Sequence, residues 1–175
     1  HIELTRAIAK RFNNKFGEVL TIPEAFVNTN TARIMSLTDP TKKMSKSDVE
    51  KSYIALTDEG QTIKDKIKSA VTETEPVISF STSGPAVKNL LAIYQALSDE
   101  KPEAIEQKFA GKGYKEFKED LAKVVIDALE PLQKKYHELR KDDTTLNLQL
   151  GRGKTQAQHI ANETLHKVKS VMGLR

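Results

Sequence analysis

The stretch RIMSLTDPTKKMSKSD, residues 33–48, joins an apolar pentapeptide to a polar loop that is rich in lysine. The pentapeptide RIMSL favours extended structure, and Pro40 interrupts the segment that follows it. Lys42, Lys43 and Lys46 fall within five positions of the loop, with Ser45 among them. The stretch therefore predicts a short strand that leads into a positively charged loop.

This lysine loop has no glycine, so it lacks the backbone cradle with which Walker-type loops bind phosphate. An anion must instead be bound by side chains, through ammonium groups on flexible stems and through serine hydroxyls. Such a loop can close on a leaving pyrophosphate as negative charge develops there. The alternative is a solvated basic turn, which composition alone favours.

The composition of the chain allows one domain or two small ones, because it has 175 residues of which 38% are hydrophobic. The absence of cysteine excludes disulfides and cysteine-based zinc sites, and it fits a cytoplasmic setting. No apolar run approaches the roughly 20 residues of a membrane span. A net charge of +4 is compatible with a polyanionic partner such as RNA or a nucleotide, although charge alone favours ordinary solubility as its explanation.

The front of the chain, residues 1–56, is predicted to be mixed α/β. An amphipathic helix runs from the first residues to Gly17, where glycine permits a left-handed ending. Three short strands are predicted at residues 18–23, 33–37 and 53–56. Because His1 opens directly into the helix without a capping residue, we expect the chain to be a fragment that lacks an amino-terminal part.

The back of the chain, residues 57–175, is predicted to be helical. Thr57 or Asp58 is a candidate cap for the first of these helices, and Pro85 and Pro102 are each placed to open one. A long helix is predicted over residues 114–140, with a kink or break at Pro131. Its inward face is predicted to contain Phe117, Leu121, Val124, Val125, Ala128, Leu132 and Tyr136. The last helix is predicted over residues 154–172.

Three weaker patterns have plain interpretations. GRGKT, residues 151–155, lacks the first glycine of a phosphate loop and predicts a turn before the last helix. His159, Glu163 and His166 share one side of that helix, where a solvated face is more plausible than a metal site. The long helix has lysines interleaved with aromatic residues, a pattern that serves nucleic-acid contact but more often forms a solvated face: Tyr114, Lys115, Lys118, Lys123, Lys134 and Lys135.

Residues 43–47 read KMSKS, which resembles the second signature of class I aminoacyl-tRNA synthetases. Their flanks and the opening HIELTRAIAKRFNNKFG resemble bacterial-type tryptophanyl-tRNA synthetases. The later stretches KSYIAL, IKSAVT, GKGYKEFKEDLAKVV and MGL do so too. The resemblance covers nearly the whole chain.

The resemblance implies an α/β plus all-α fold. Residues 1–56 would be the second half of a Rossmann-like nucleotide-binding domain, and residues 57–175 a helical domain of the anticodon-binding type whose last helix packs back on the first domain. The implied activity is activation of L-tryptophan with ATP and Mg²⁺ to tryptophanyl-adenylate, followed by transfer to tRNA(Trp). The implied full-length protein is a homodimer without a membrane segment.

The resemblance also implies roles for individual residues. Lys43 and Lys46 would be catalytic, neutralising the pyrophosphate that leaves. ATP would be bound by Ile34, Lys43, Met44, Ser45, Lys46 and Ser47, with Met44 supporting adenine through its backbone. For Ile34 a plain position in a strand core remains an equally open interpretation.

The family's first signature, H-x-G-H, is absent from this sequence. It has four histidines, and none lies in that pattern: His1, His137, His159 and His166. We therefore expect that the 175 residues do not complete adenylation alone. The alternative function is a stand-alone tRNA- or RNA-binding module in which the lysine loop has no catalytic use.

Overall fold

A computed structural model of the protein describes residues 1–26 and 33–174, which form two compact units. Unit 1 comprises His1–Val27 and Glu138–Arg175, and unit 2 comprises Asn28–His137. The helices are α1 (Ile2–Phe16), α2 (Gly60–Ser69), α3 (Pro85–Ser98), α4 (Pro102–Lys108), α5 (Tyr114–Arg140) and α6 (Asp143–Val171). In the part of the chain that is described, no helix is both long enough and apolar enough to span a membrane.

No strand forms within residues 1–26 and 33–174, so the strands predicted at 18–23, 33–37 and 53–56 are wrong. The regular backbone structure outside the α-helices described there is a 3₁₀ turn, Glu50–Ser52, and one antiparallel bridge between Met35 and Lys43. In the segment at residues 18–23, a side chain forms the hydrogen bonds that a neighbouring strand would otherwise supply. The amide of Asn13 donates to the carbonyl of Leu20 at 2.7 Å and accepts from its N–H at 2.9 Å.

The end of α1 lies at the residue that the sequence predicts, although Gly17 does not adopt the left-handed helical conformation expected there. Phe16 is its last residue, and Gly17 follows with φ 91° and ψ 170°. That backbone region is accessible essentially only to glycine. Helix α1 buries Ala9 but leaves Leu4 and Ile8 largely exposed, so its apolar face is only partly covered within unit 1.

Helix α6 begins at Asp143, eleven residues before the predicted start at Lys154. Asp142 caps it, since its carboxylate accepts a hydrogen bond of 2.9 Å from the Thr145 N–H. The side chain of Thr145, together with its N–H, lowers the pKa of Asp142. The turn predicted at residues 151–155 is therefore wrong, because both of its glycines lie inside the helix. Thr164 of α6 lines a cavity of unit 1 together with Thr5 and Ile8.

The two glycines inside α6 provide a stability test. At Gly153 an added Cβ meets open space, so Gly153→Ala should stabilise the protein by about 1 kcal/mol, the helix-propensity difference. Gly17→Ala is the matched control, because that site is equally open but has a positive φ. We expect the first variant to raise the thermal unfolding midpoint and the second to lower it. Equal shifts of one sign would contradict the assignment of Gly153 to a helix interior.

Unit 2 contains α2, α3, α4 and most of α5, with Pro85 and Pro102 opening their helices as predicted. Tyr94, Phe109 and Phe117 form an aromatic cluster with ring centroids 5.1–6.2 Å apart. The Tyr94 hydroxyl donates to Asp120 at 2.6 Å and accepts from Lys108 at 2.6 Å. Burial, reinforced by the bond to Asp120, raises the pKa of Tyr94 to about 12.

Helix α5 has the predicted bounds and continues through Pro131, so the break predicted there does not occur. Its amino-terminal half packs inward as predicted, with Phe117 and Leu121 inaccessible to solvent. Its carboxy-terminal half does not, because Ala128 is exposed, Leu132 is 49% exposed and Tyr136 is 43% exposed. In the sequence, apolar residues recur at helical spacing along all of α5, but only the amino-terminal half of the helix has a core to pack against.

Helix α2 starts at Gly60 without a side-chain cap, so the caps predicted at Thr57 and Asp58 are wrong. The carboxylate of Asp58 has other partners. It accepts a hydrogen bond of 2.8 Å from the Ala55 N–H and forms a 2.7 Å ion pair with Lys66. Lys66 also lies over the ring of Tyr53, 4.9 Å from its centroid. Asp58 therefore fixes the segment before α2 rather than the helix end.

Candidate functional site

The lysine loop grows out of a small antiparallel hairpin in unit 2. The Met44 N–H donates to the Ile34 carbonyl at 3.0 Å, and the Ser36 N–H donates to the Lys42 carbonyl at 2.9 Å. These two bonds flank the bridge between Met35 and Lys43. Lys43, the first signature residue, is thus fixed opposite Met35.

The turn of the hairpin, residues 36–42, is tied by its own side chains. The buried Ser36 hydroxyl accepts from the N–H groups of Thr38 and Asp39, each at 3.2 Å. Asp39 accepts from the hydroxyl of Thr41 at 2.6 Å and from its N–H at 3.0 Å, and pairs with Lys42 at 3.3 Å. The bonds from Thr41, aided by Lys42, lower the pKa of Asp39.

The other edge of the hairpin is held by a residue that the sequence analysis missed. Asn89 of α3 accepts from the Met35 N–H at 2.8 Å and donates to the Met35 carbonyl at 2.8 Å. Two residues on, the Leu37 N–H donates to the Ser52 carbonyl at 2.9 Å, and the Val71 N–H donates to the Leu37 carbonyl at 2.8 Å. No periodicity marks Asn89, since it is one polar residue within an apolar helix face.

The two lysines predicted to be catalytic are exposed, and neither forms an ion pair within the described residues. Their neighbour Lys42 differs, because it is paired with Asp39. The hairpin therefore carries two positive charges, on Lys43 and Lys46, that are available to an anionic ligand.

The other predicted ligand residues anchor and bend the loop. Ile34 and Met44 are half-buried and pack against the core of unit 2. Ser45 is also half-buried, and its hydroxyl accepts from the Ser47 N–H at 3.3 Å while its carbonyl accepts from the Asp48 N–H at 3.2 Å. The site thus combines an apolar base with a tight turn that presents Lys46 and Ser47 to solvent.

Chemically, this arrangement can bind and stabilise an anion but offers no carboxylate cluster for a metal. Among residues 1–26 and 33–174, no three His, Asp or Glu side chains converge as metal ligands. His159 and Glu163, two members of the trio noted above, approach to 3.9 Å on the exposed face of α6.

One lysine of α5 has a structural role. Lys118 donates to the carbonyls of Ala70 at 2.7 Å and Lys68 at 3.3 Å, at the carboxyl end of α2. Burial lowers its pKa. Lys118 therefore stabilises the α2 end, whereas Lys115, Lys123 and Lys134 remain on the exposed face.

Curated proteins and solved structures are similar to this chain over nearly its whole length. The chain is 48% identical over 176 aligned residues to the tryptophan–tRNA ligase of Bacillus subtilis (strain 168), which covers 99% of this chain and 53% of that protein. Among solved structures, the tryptophanyl-tRNA synthetase of Mycoplasma pneumoniae is 34% identical with a TM-score of 0.86, over 100% of this chain and 55% of that one. The enzyme from Campylobacter jejuni, complexed with ADP and tryptophan, is 30% identical with a TM-score of 0.67, over 99% and 54% of the two chains.

The chain thus spans about half the length of the relatives that it matches. Residues 1–130 match the family described as tRNA synthetases class I (W and Y). That match includes both the hairpin and the aromatic core of unit 2. The chain belongs to the class I tRNA synthetase family of the tryptophan and tyrosine enzymes.

Proposed function

We propose that the chain is part of a tryptophan–tRNA ligase and supplies its ATP-phosphate loop together with a helical region that binds tRNA. The observation that carries the choice of tryptophan is the 48% identity, over 99% of this chain, to a relative named tryptophan–tRNA ligase. The complete protein would activate L-tryptophan with ATP and transfer it to tRNA(Trp). It would act in the cytoplasm as a homodimer.

In the first reaction, the carboxylate of tryptophan attacks the α-phosphate of ATP, an oxygen–phosphorus bond to the pyrophosphate breaks, and pyrophosphate leaves. Negative charge increases on the leaving group in the transition state. Lys43 and Lys46 are exposed and unpaired within the described residues, so both ammonium groups are available to neutralise that charge. An interaction that strengthens in the transition state raises the rate rather than merely the affinity.

The other predicted site residues would bind the remaining parts of the ATP molecule. Ser45 and Ser47 would donate hydroxyl hydrogen bonds to phosphate oxygens, and Met44 would support adenine through its backbone. Ile34 lies beside Met44, joined to it by a 3.0 Å hydrogen bond, so one adenine ring could contact both. The half-buried position of Ile34 against the core also agrees with a plain packing role. Mg²⁺ would arrive with the ATP phosphates, as is usual for nucleotide substrates.

For the domains, we propose that residues 1–56 belong to the second half of a Rossmann-like nucleotide-binding domain and that residues 57–175 form the helical domain. The hairpin at residues 34–44, with its single bridge, would be an edge of the first of these. Helix α6 would pack back on the first domain, which agrees with a cavity lined by Thr164 and by Thr5 of α1.

The experiment is ATP–pyrophosphate exchange on the full-length protein that contains this chain, with tryptophan and with tyrosine as alternative substrates. We expect exchange that depends on tryptophan, and none from the 175-residue chain by itself. Exchange that depends on tyrosine would overturn the substrate. No exchange with either amino acid, combined with binding of tRNA, would favour the stand-alone RNA-binding module.

A further inference from the structure

The strongest unassigned feature is the double hydrogen bond between Asn89 and Met35. Both bonds measure 2.8 Å, and the side chain of Asn89 is buried, with the residue 6% exposed. One side-chain amide thus satisfies both the N–H and the carbonyl of one backbone residue. That pair of bonds is what a neighbouring strand would supply.

Helix α3 holds this amide in a fixed place. Pro85 is its first residue, and Glu73 closes its amino terminus by accepting from the N–H groups of Ala86 at 2.9 Å and Val87 at 3.2 Å. Tyr94 on the same helix is inaccessible to solvent in the core. Asn89 therefore projects from an element that is anchored both by packing and by its cap.

The bond to Met35 fixes the lysine loop through the geometry of extended backbone. Successive residues of an extended chain direct their N–H and carbonyl groups to opposite edges. When Met35 faces Asn89, the Ile34 carbonyl and the Ser36 N–H must face the other edge, where they bond to Met44 and Lys42. Asn89 thereby sets the position from which the loop begins.

We propose that Asn89 is a positioning residue for the phosphate loop: its amide aligns Met35, and through the hairpin it places Lys43 for the pyrophosphate that leaves ATP. This inference rests on the proposed function of the loop. It also predicts a direct structural effect, local to Met35, that does not depend on catalysis.

Asn89→Asp is the sharpest test, because a protonated carboxyl has the same shape as the amide, with one donor and one acceptor. An ionised carboxylate has no donor and faces the Met35 carbonyl, so its ionisation is disfavoured and the pKa of the new side chain should be raised. We expect tryptophan-dependent exchange at pH 8.5 to fall about tenfold, with the KM for ATP raised and that for tryptophan unchanged. Lowering the pH to 6 should restore activity toward wild type.

Asn162→Asp is the matched control, since it makes the same chemical change on the exposed face of α6. It should leave the pH profile of exchange unchanged. If Asn89→Asp follows the same profile as this control, or if it raises the KM for both substrates equally at every pH, the positioning role is overturned.

Hydrogen exchange of the Met35 amide gives the readout that is independent of activity. In the full-length protein, Asn89→Leu removes both bonds while keeping a side chain of similar size, so the Met35 N–H should exchange at least tenfold faster. An unchanged Met35 rate overturns the proposal even if the enzyme is active. Faster Met35 exchange in Asn89→Leu, combined with a wild-type full-length protein that lacks tryptophan-dependent activity, would overturn the proposed function while supporting the role of Asn89 in holding Met35.

Discussion

Replacing Lys46 by alanine in the full-length protein should lower tryptophan-dependent ATP–pyrophosphate exchange by about 10²–10³-fold. Lys46 is exposed at the tip of the loop and forms no ion pair within the described residues, so its charge is available to the leaving pyrophosphate. If the contact strengthens in the transition state, kcat should fall more than KM for ATP rises. Steady-state exchange at varied ATP concentration measures both.

Lys42→Ala is the matched control, four positions earlier in the same loop. Lys42 is exposed, like Lys46, but it is paired with Asp39 at 3.3 Å. Its loss removes an equal charge from the loop, so a simple effect of net charge would lower exchange equally in both variants. We expect Lys42→Ala to change the rate less than tenfold. Equal losses of exchange activity in the two variants would contradict a specific role for Lys46 and would indicate that the loop acts only through its net positive charge.

The starts of α3 and α4 and the end of α1 were predictable from the sequence because their signals are local. Pro85 and Pro102 have the backbone angle of a first helical turn and lack the N–H that such a turn leaves unpaired. The end of α1 at Gly17 follows from a backbone conformation that other residues avoid. In contrast, Gly151 and Gly153 were poor guides, because α6 tolerates both once Asp142 has capped its start.

The strands could not be predicted correctly because the sequence does not show what a segment pairs with. Leu20 and Met35 both have their N–H and carbonyl groups satisfied by the side chain of an asparagine on a helix. An apolar pattern is the same whether a strand or an amide supplies those bonds. Asn89 follows Met35 by 54 positions, so no local rule connects them.

The lysine loop differs from the strands, because the order of its residues is itself a local signal. The residues of the KMSKS motif were proposed as ATP ligands from their order, which stays a prediction, and the structure adds which of them are exposed. It also separates Lys42 from Lys43 and Lys46, because the ion pair with Asp39 depends on the turn at residues 38–42. Charge alone does not distinguish three lysines within five positions of sequence.

The second large effect should come from Asp58. Lys66 is only 5% exposed at its side chain, and its ammonium lies 2.7 Å from the Asp58 carboxylate, which is 13% exposed. Asp58→Ala would leave a buried charge without its partner and also remove the acceptor of the Ala55 N–H. We expect a loss of about 3–5 kcal/mol in the free energy of unfolding. Urea denaturation followed by circular dichroism measures it, with hydrogen exchange of the α2 amides as a local probe.

The double variant Asp58→Asn with Lys66→Met distinguishes the loss of attraction between the two charges from the cost of leaving the Lys66 charge buried without a partner. Asparagine can still accept from the Ala55 N–H, and methionine keeps most of the apolar stem of lysine without its charge. Because the net contribution of a buried ion pair is small, we expect this protein to recover most of the stability that Asp58→Ala loses. If the double variant is as unstable as Asp58→Ala, the attraction between the two charges stabilises the fold by itself. Recovery would instead mean that the cost of Asp58→Ala arises from stranding the Lys66 charge in the interior.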